Sequence, residues 1–430
     1  MKTEIHSLKP FLILWSTQSL SQLGSAMTSF ALSLWLYGRT GSALQTALLS
    51  VCTYAPYVVM SIFAGALSDR WDKKKTMLAC DTLAACCTAA VLALLKAGLL
   101  APVHIYLLNI LSGLMNTVQQ PASDVAMTLL LPRDFYQKAS GMRSFSNSLI
   151  TLLNPVLATA LFSLMGMEAV ICVDLMTFAA AFLALLAGVR LPSAKPGEAG
   201  GKESFGQSVR SGLHYLREQK MILTLILFLA GVNFVASAFD AALPALVLSR
   251  ENGGETVLGL VSSCAGVATL LGSVAAALLP PPKNRIRVIC LTMLFSLGTE
   301  NFLLALCREP AWWCAGQLVG WLLVPLMNAN LDVILRSTIP VGMQGRVYAC
   351  RNTLQFFTIP IGLFAGGFMV DYVCEPVMAS PAAEGLLKGL FGSGKGSGAA
   401  MMLFILGVLG IVICLVFGKI LRKYTYTDGQ

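Results

Sequence analysis

The sequence predicts an all-α integral membrane protein, with twelve transmembrane helices in two pseudo-symmetric six-helix bundles. Three observations carry that reading. Of 430 residues, 56% are hydrophobic and 12% charged, against roughly 25% charged in soluble domains. Soluble cores in a chain of this length cannot hide so much apolar side chain. A water-soluble enzyme, a disordered chain and a disulfide-stapled secreted domain are thereby excluded. The Lys and Arg residues are segregated between the apolar runs, and the two halves of the chain echo each other.

A spanning helix needs about 20 mostly apolar residues, and twelve runs meet that length. The first, near 11–37, is too long for a signal peptide and lacks a small-residue cleavage pattern. It carries Gln18, Gln22, Ser25 and Ser29 along its length. The second, near 45–68, runs into the loop Gly65-Ala66-Leu67-Ser68-Asp69-Arg70-Trp71-Asp72-Lys73-Lys74-Lys75. The third lies near 76–98 and the fourth near 104–127. In the fourth, Asn109, Gly113, Asn116, Gln120 and Asp124 are spaced 4, 3, 4 and 4, along one helix face. The fifth and sixth fall near 143–165 and 169–190.

A polar linker, 191–220, follows. It opens with Pro192, Pro196, Gly197, Gly200 and Gly201. It continues with Phe205, Val209, Leu213 and Leu216 at helical spacing, which predicts a short amphipathic helix on the inner membrane surface. The remaining spans fall near 221–248, 257–279, 287–307, 312–334, 347–371 and 398–419. The Gly- and Pro-rich segment from Val373 to Ala399 reads as a mobile loop. The domain expectation is an N-terminal bundle over 1–190, the linker over 191–220 and a C-terminal bundle over 221–430.

With the N-terminus inside, 24 of the 30 Lys and Arg residues fall in inner segments and six outside. This places both termini in the cytoplasm. The net charge of +9 is therefore a topology signal, and no nucleic-acid partner is expected. The twelve cysteines sit mostly inside apolar runs without a CxxC pair, so metal binding and structural disulfides are not expected. No cofactor is expected either.

The halves align. At an offset of 208, Asp124-Val125 and Pro132 fall on Asp332-Val333 and Pro340, and Lys138 and Arg143 on Arg346 and Arg351. At an offset of 212, Ser25-Ala26 falls on Ser237-Ala238. Two related six-helix halves suggest a carrier that rocks one half against the other around a central site.

The loop after the second span resembles the signature loop of the major facilitator superfamily, with Asp72 where that family has Gly. The start, Leu14 to Ser25, is similar to the macrolide-efflux and siderophore-exporter-like branch of bacterial facilitators (drug:proton antiporter type 3). So are Gln344-Gly345-Arg346-Val347, Pro360 and Gly366-Gly367-Phe368-Met369-Val370-Asp371. The resemblance implies a major facilitator fold with spans 1, 4, 7 and 10 around the cavity. It implies a conformational latch built from Gly65, Asp69, Arg70, Lys73 and Asp124, and a second-half counterpart of Asp332 with Arg336 or Arg346. It also implies export, although two features of proton antiporters are missing. Asn109 stands where many carry Arg, and the Gly-rich pattern of the fifth span is reduced to Asn154-Pro155.

Polar side chains in hydrocarbon turn toward protein or water. The cavity candidates are Gln18, Gln22, Ser25, Asn109, Asn116, Gln120, Asn233, Ser237, Gln317 and Asn328; interhelical hydrogen bonding is the competing role for each. Of the intramembrane carboxylates, Asp240 and Glu300 are the proton-coupling candidates, whereas Asp81 and Asp174 lie nearer helix ends on spans peripheral in the family. Trp15, Trp35 and Phe239 are placed to stack on a ligand. Trp312, Trp313 and Trp35 read more simply as interface anchors.

The expected activity is secondary active export of a small amphipathic organic molecule, driven by a proton or other cation, by a monomer among the lipids of a bacterial inner membrane. The alternatives are a carrier of other direction or substrate (lipid, siderophore or metabolite) and a non-transporting sensor. His6, His104 and His214 are scattered, and no HExxH or GxSxG motif is present, so no catalytic residues are expected.

Overall fold

A computed structural model of the chain describes residues 2–70, 72–130, 135–188 and 205–424. Among these residues every regular element is helical, and nine stretches are long and apolar enough to cross a membrane. Contacts divide the chain into two units, one of residues 1–35 and 52–203, the other of 36–51 and 204–430.

The first unit holds the bodies of α1 (Lys2–Thr40) and α2 (Ala43–Arg70), with α3 (Lys73–Lys96), α4 (Pro102–Leu129) and α5 (Tyr136–Leu183). Asp72 caps α3 by accepting from the Lys75 amide at 2.9 Å, which satisfies one of the free donors of the first turn. This is the residue that departs from the family's loop pattern. The 48 residues of α5, at about 1.5 Å rise each, would far overshoot one bilayer. The helix bends at Gly166 (φ 79, ψ 178), in the gap expected between the fifth and sixth spans. A buried cluster of Leu14, Met77, Ala122, Ala126 and Leu185 ties α1, α3 and α4 to the turn after α5.

The second unit is built on α7 (Lys220–Ser249), buried along most of its length. Around it stand α8 (Glu255–Leu278), α9 (Arg285–Leu306) and α16 (Ser397–Leu421). The tenth span, expected as one helix, is two: α10 (Pro310–Leu322) and α11 (Val324–Thr338), broken at Leu323. Pro325 in the first turn of α11 explains the break, because its ring removes an N–H and clashes with the preceding turn. The eleventh span likewise divides into α12 (Val341–Phe356) and α13 (Thr358–Met369).

Two expectations are corrected here, the mobile loop and the Trp313 anchor. The amphipathic helix α6 (Phe205–Glu218) packs on protein along part of its surface. The Tyr215 hydroxyl donates to the Thr338 carbonyl at 3.2 Å, Leu216 is buried, and Gly212 lets the helix approach the Arg346 backbone of α12. The expected mobile loop holds two short helices, α14 (Glu375–Ala379) and α15 (Leu386–Phe391). It is pinned by Glu375 accepting from the Gly396 amide at 2.8 Å, by Arg308 donating to the Gly389 carbonyl at 3.0 Å and by Arg250 donating to the Phe391 carbonyl. Trp313 is no interface anchor: it is wholly buried and donates to the Cys307 carbonyl at 2.9 Å. Trp312 beside it is exposed.

Candidate functional site

The first unit encloses a polar cavity of about 300 Å³. Three helices and the second limb of α5 build it. From α1 come Gln18, Gln22, Ser25 and Ser29, whose spacing of 4, 3 and 4 keeps them on one face. From α4 come Asn116, Gln119, Gln120 and Ser123. From α3 come Asp81 and Thr88, and from α5 Asp174 and Phe178.

Two buried carboxylates anchor the walls. Asp81 is 8% and Asp174 3% exposed. Gln18 donates to one oxygen of Asp81 at 3.2 Å, and Gln119 donates to the other. Ser25 donates to Asp174 at 2.9 Å and Thr88 at 3.5 Å. Gly24 makes the Ser25 contact possible, since a Cβ there would stand 3.0 Å from the Asp174 Cα. These four hydrogen-bond partners are neutral, and no Lys or Arg stands among the described residues that line the cavity. Uncompensated charge is costly inside a bilayer, and these neutral donors are the compensation that the described residues give the two carboxylates.

The predicted cavity residues therefore separate. Gln18, Gln22, Ser25, Asn116 and Gln120 line the cavity; Asn109 does not. Asp81 and Asp174, set aside from sequence as peripheral, belong to the site. The second limb of α5 reaches inward where Gly24 of α1 leaves room for Asp174 and Thr177. A signal was present: each is a lone carboxylate in an apolar run, and Gln119 stands beside Gln120.

In the second unit the polar face of α7 is used for packing. Asn233 donates to the Gln355 carbonyl at 3.1 Å, and Ser237 donates to the Asn233 carbonyl at 2.6 Å. Gln317 is buried and Asn328 exposed. Glu300 is 6% exposed, and its Oε1 has no hydrogen-bond partner. Gly320 opposite makes room for that carboxyl, because a Cβ there would meet Oε2 at 2.5 Å. Asp240 is a carboxylate that acts on Glu300 electrostatically; it is exposed on α7, beside buried Ala241.

Of the expected latch, Gly65, Asp69 and Arg70 fall in the last turns of α2 and Asp124 in α4, and their side chains lie outside those described. Lys73 has an interacting partner, and Lys74 donates to the Leu186 carbonyl at 3.0 Å. Asp332 acts electrostatically on the Arg351 guanidinium, which donates to Gln355 Oε1 at 3.0 Å; Arg336 and Arg346 also hold partners.

Membrane-length helices that turn amides and carboxylates onto an internal cavity define a carrier of small molecules across a membrane. Comparison with known proteins places the chain within that class. Residues 14–363 match the Major Facilitator Superfamily, and the chain belongs to that family: it is a membrane transporter, not an enzyme. Macrolide efflux protein A of Streptococcus pyogenes is 24% identical over 369 residues, 84% of this chain and 90% of the relative. The multidrug efflux pump Tap of Mycolicibacterium fortuitum is 22% identical, over 84% and 89% of the two chains. Among solved structures, a bacterial homologue of the human lysosomal transporter Spinster has a TM-score of 0.70 at 15% identity, covering 98% of this chain and 99% of the other. The nucleoside transporter NupG also scores 0.70, at 14% identity, covering 96% and 99%.

Proposed function

We propose that the protein is a secondary active exporter of small amphipathic organic molecules, working by alternating access and driven by a cation gradient. The observation that carries the reading is the cavity of the first unit: a ligand-sized space lined by amides, hydroxyls and two carboxylates without a basic neighbour. Such a lining selects against anions and favours organic molecules with a few polar groups. The efflux relatives, a macrolide efflux protein and a multidrug efflux pump, point the same way.

In this reading the chain crosses the membrane twelve times with both termini in the cytoplasm, as two six-helix bundles over 1–190 and 221–430. Nine stretches qualify by length and apolarity. The stretch over 141–187 bends at Gly166 and counts twice. Helices α1 and α4, of 39 and 28 residues, complete the number; their polar stripes lower their hydropathy. The chain acts as a monomer in a bacterial inner membrane, and the latch residues hold its cytoplasmic face.

Reconstituted into liposomes with an imposed proton gradient, the protein is expected to move ethidium and erythromycin uphill. Absence of gradient-driven movement of either, and of other amphipathic probes, would leave a sensor of the same fold. The carboxylate pair of the second unit gives a separate test. Glu300→Gln and Asp240→Asn are each expected to lower gradient-driven transport by about tenfold, about 1.4 kcal/mol, with thermal stability held. Transport unchanged in both variants would remove these two residues from the coupling machinery.

A further inference from the structure

We propose that Asp371 is a releasable latch on the transport cycle, holding the first turn of α2 against α7 and α13. The proposal deepens the alternating-access reading and rests on it. It is carried by geometry within the second unit, which includes residues 36–51.

Asp371 sits in a single π-helical turn, Val370–Cys374, that follows α13. Such turns re-aim side chains and are frequent at functional sites. Here the carboxylate meets the start of α2. It accepts from the Ala43 amide at 3.0 Å, from the Leu44 amide at 2.9 Å and from the Ser42 hydroxyl at 2.6 Å. The Ser42 oxygen in turn accepts from the Gln45 amide at 3.1 Å. The first three N–H groups of α2 are thus all satisfied, two of them by a residue more than 300 positions away. Those donors have no partner within the helix, and the positive end of the helix dipole adds to the attraction of a carboxylate.

Around the contact small and large side chains mix: the Lys395 ammonium stands against Gly41 and over the Tyr37 ring. Gly367, one turn before Asp371, packs on the α2 backbone, where a Cβ would stand 2.6 Å from the Leu44 Cα. Deeper in, Ala47 meets Ala241 and Leu363. At the end of α1, Tyr37 and Ser249 share a hydrogen bond of 2.7 Å. Beside this packing, three hydrogen bonds to Asp371 tie the start of α2 to the turn after α13. Those bonds are charge-assisted and easily remade, which is what a latch needs. Helices α1 and α2 run unbroken from residues of the first unit into 36–51. Any displacement of the first unit during transport is therefore delivered to this contact. In the topology proposed above it lies at the external end, opposite the cytoplasmic latch.

The test places one reporter cysteine, Ala47→Cys, in the full-length chain in nanodiscs, where both faces meet solvent. Its rate of reaction with a polar maleimide is read against the background of the native cysteines. Asp371→Ala is expected to raise that rate by about tenfold, the size of one lost charge-assisted hydrogen bond. Asp371→Asn is expected to fall between, since its single carbonyl oxygen keeps part of the cap. Ser42→Ala, which removes only a hydroxyl, should give a smaller rise and stands in if Asp371→Ala does not assemble. A reporter rate unchanged in the Asp371 variants, or in Ser42→Ala where they do not assemble, overturns the latch whatever the transport result. A raised rate in a chain that moves no probe supports the latch and counts instead against the carrier reading.

Discussion

Replacing both Asp81 and Asp174 with Asn is expected to stop gradient-driven export while the protein still folds and reaches the membrane. The substitution separates charge from packing. Asn matches Asp in size, and the partners of both residues can reverse their roles. Gln18 and Gln119 donate amide hydrogens into Asp81; one of them turns its amide to offer oxygen to the new Asn. Ser25 and Thr88 hold Asp174 through hydroxyls, which rotate from donor to acceptor. What is lost is the ability of the cavity to hold a proton or balance a cationic guest. Each single change should lower uphill transport by about tenfold, about 1.4 kcal/mol, and the double change should leave only passive movement. Substitution by Ala is a different experiment: at Asp81 it strands the amide donor of buried Gln18, at about 1–3 kcal/mol, and should lower thermal stability as well. Uphill transport of ethidium at native rate by the Asn double variant would show that neither carboxylate couples export. The measurement is accumulation in inverted vesicles under an imposed proton gradient, read beside the melting temperature of the purified variant.

Much of this architecture is legible in the sequence because a bilayer makes hydropathy and positive charge report directly on helices. The bend at Gly166 falls in a gap already visible between apolar runs. The stripes on α1 and α4 give five residues of the cavity lining, since helical periodicity fixes which side chains share a face. Periodicity says nothing about which neighbouring helix a face meets. That is why Asp81 and Asp174, on helices taken as peripheral, do not stand out in the sequence, and why the bond from Asn233 to the Gln355 carbonyl does not either. The breaks at Leu323 and Phe357 were missed for another reason. Proline is tolerated within membrane helices when neighbours satisfy the freed backbone groups, so its presence alone does not say which helix will divide. The order in 373–399 depends on Arg250, Arg308 and Glu375 reaching backbone groups far along the chain. Composition cannot register such contacts. The cap on α2 is of the same kind: Ser42 marks a helix start in the sequence, but its partner Asp371 does not.

The largest loss of stability is expected at the crossing of α7 and α13. Gly362 and Gly366 lie four residues apart on one face of α13, a spacing that lets two membrane helices approach closely. A Cβ at Gly366 would stand 2.5 Å from the Ala238 carbonyl oxygen and 2.8 Å from its Cα. One at Gly362 would stand 2.5 Å from the Phe234 carbonyl oxygen and also meet the Ser237 hydroxyl. These neighbours are mostly backbone, so no rotamer change relieves them and the helices must move apart. In an open helical position Gly→Ala is favourable by about 1 kcal/mol. Gly141, with nothing within 4 Å of its would-be Cβ, is such a position and serves as control. At the crossing, overpacking costs about 1–3 kcal/mol per site, and the neighbouring backbone puts both sites toward the upper end, so the sign reverses. Separation would also stretch the Thr358 hydroxyl from the Ala230 carbonyl, now at 2.8 Å, and Asn233 from Gln355. Gly362→Ala with Gly366→Ala should therefore lower the melting temperature in detergent by several degrees, whereas Gly141→Ala holds or raises it. Equal melting temperatures for the two would mean that α7 and α13 pack through side chains able to yield, and that close backbone approach is not what holds the second unit together.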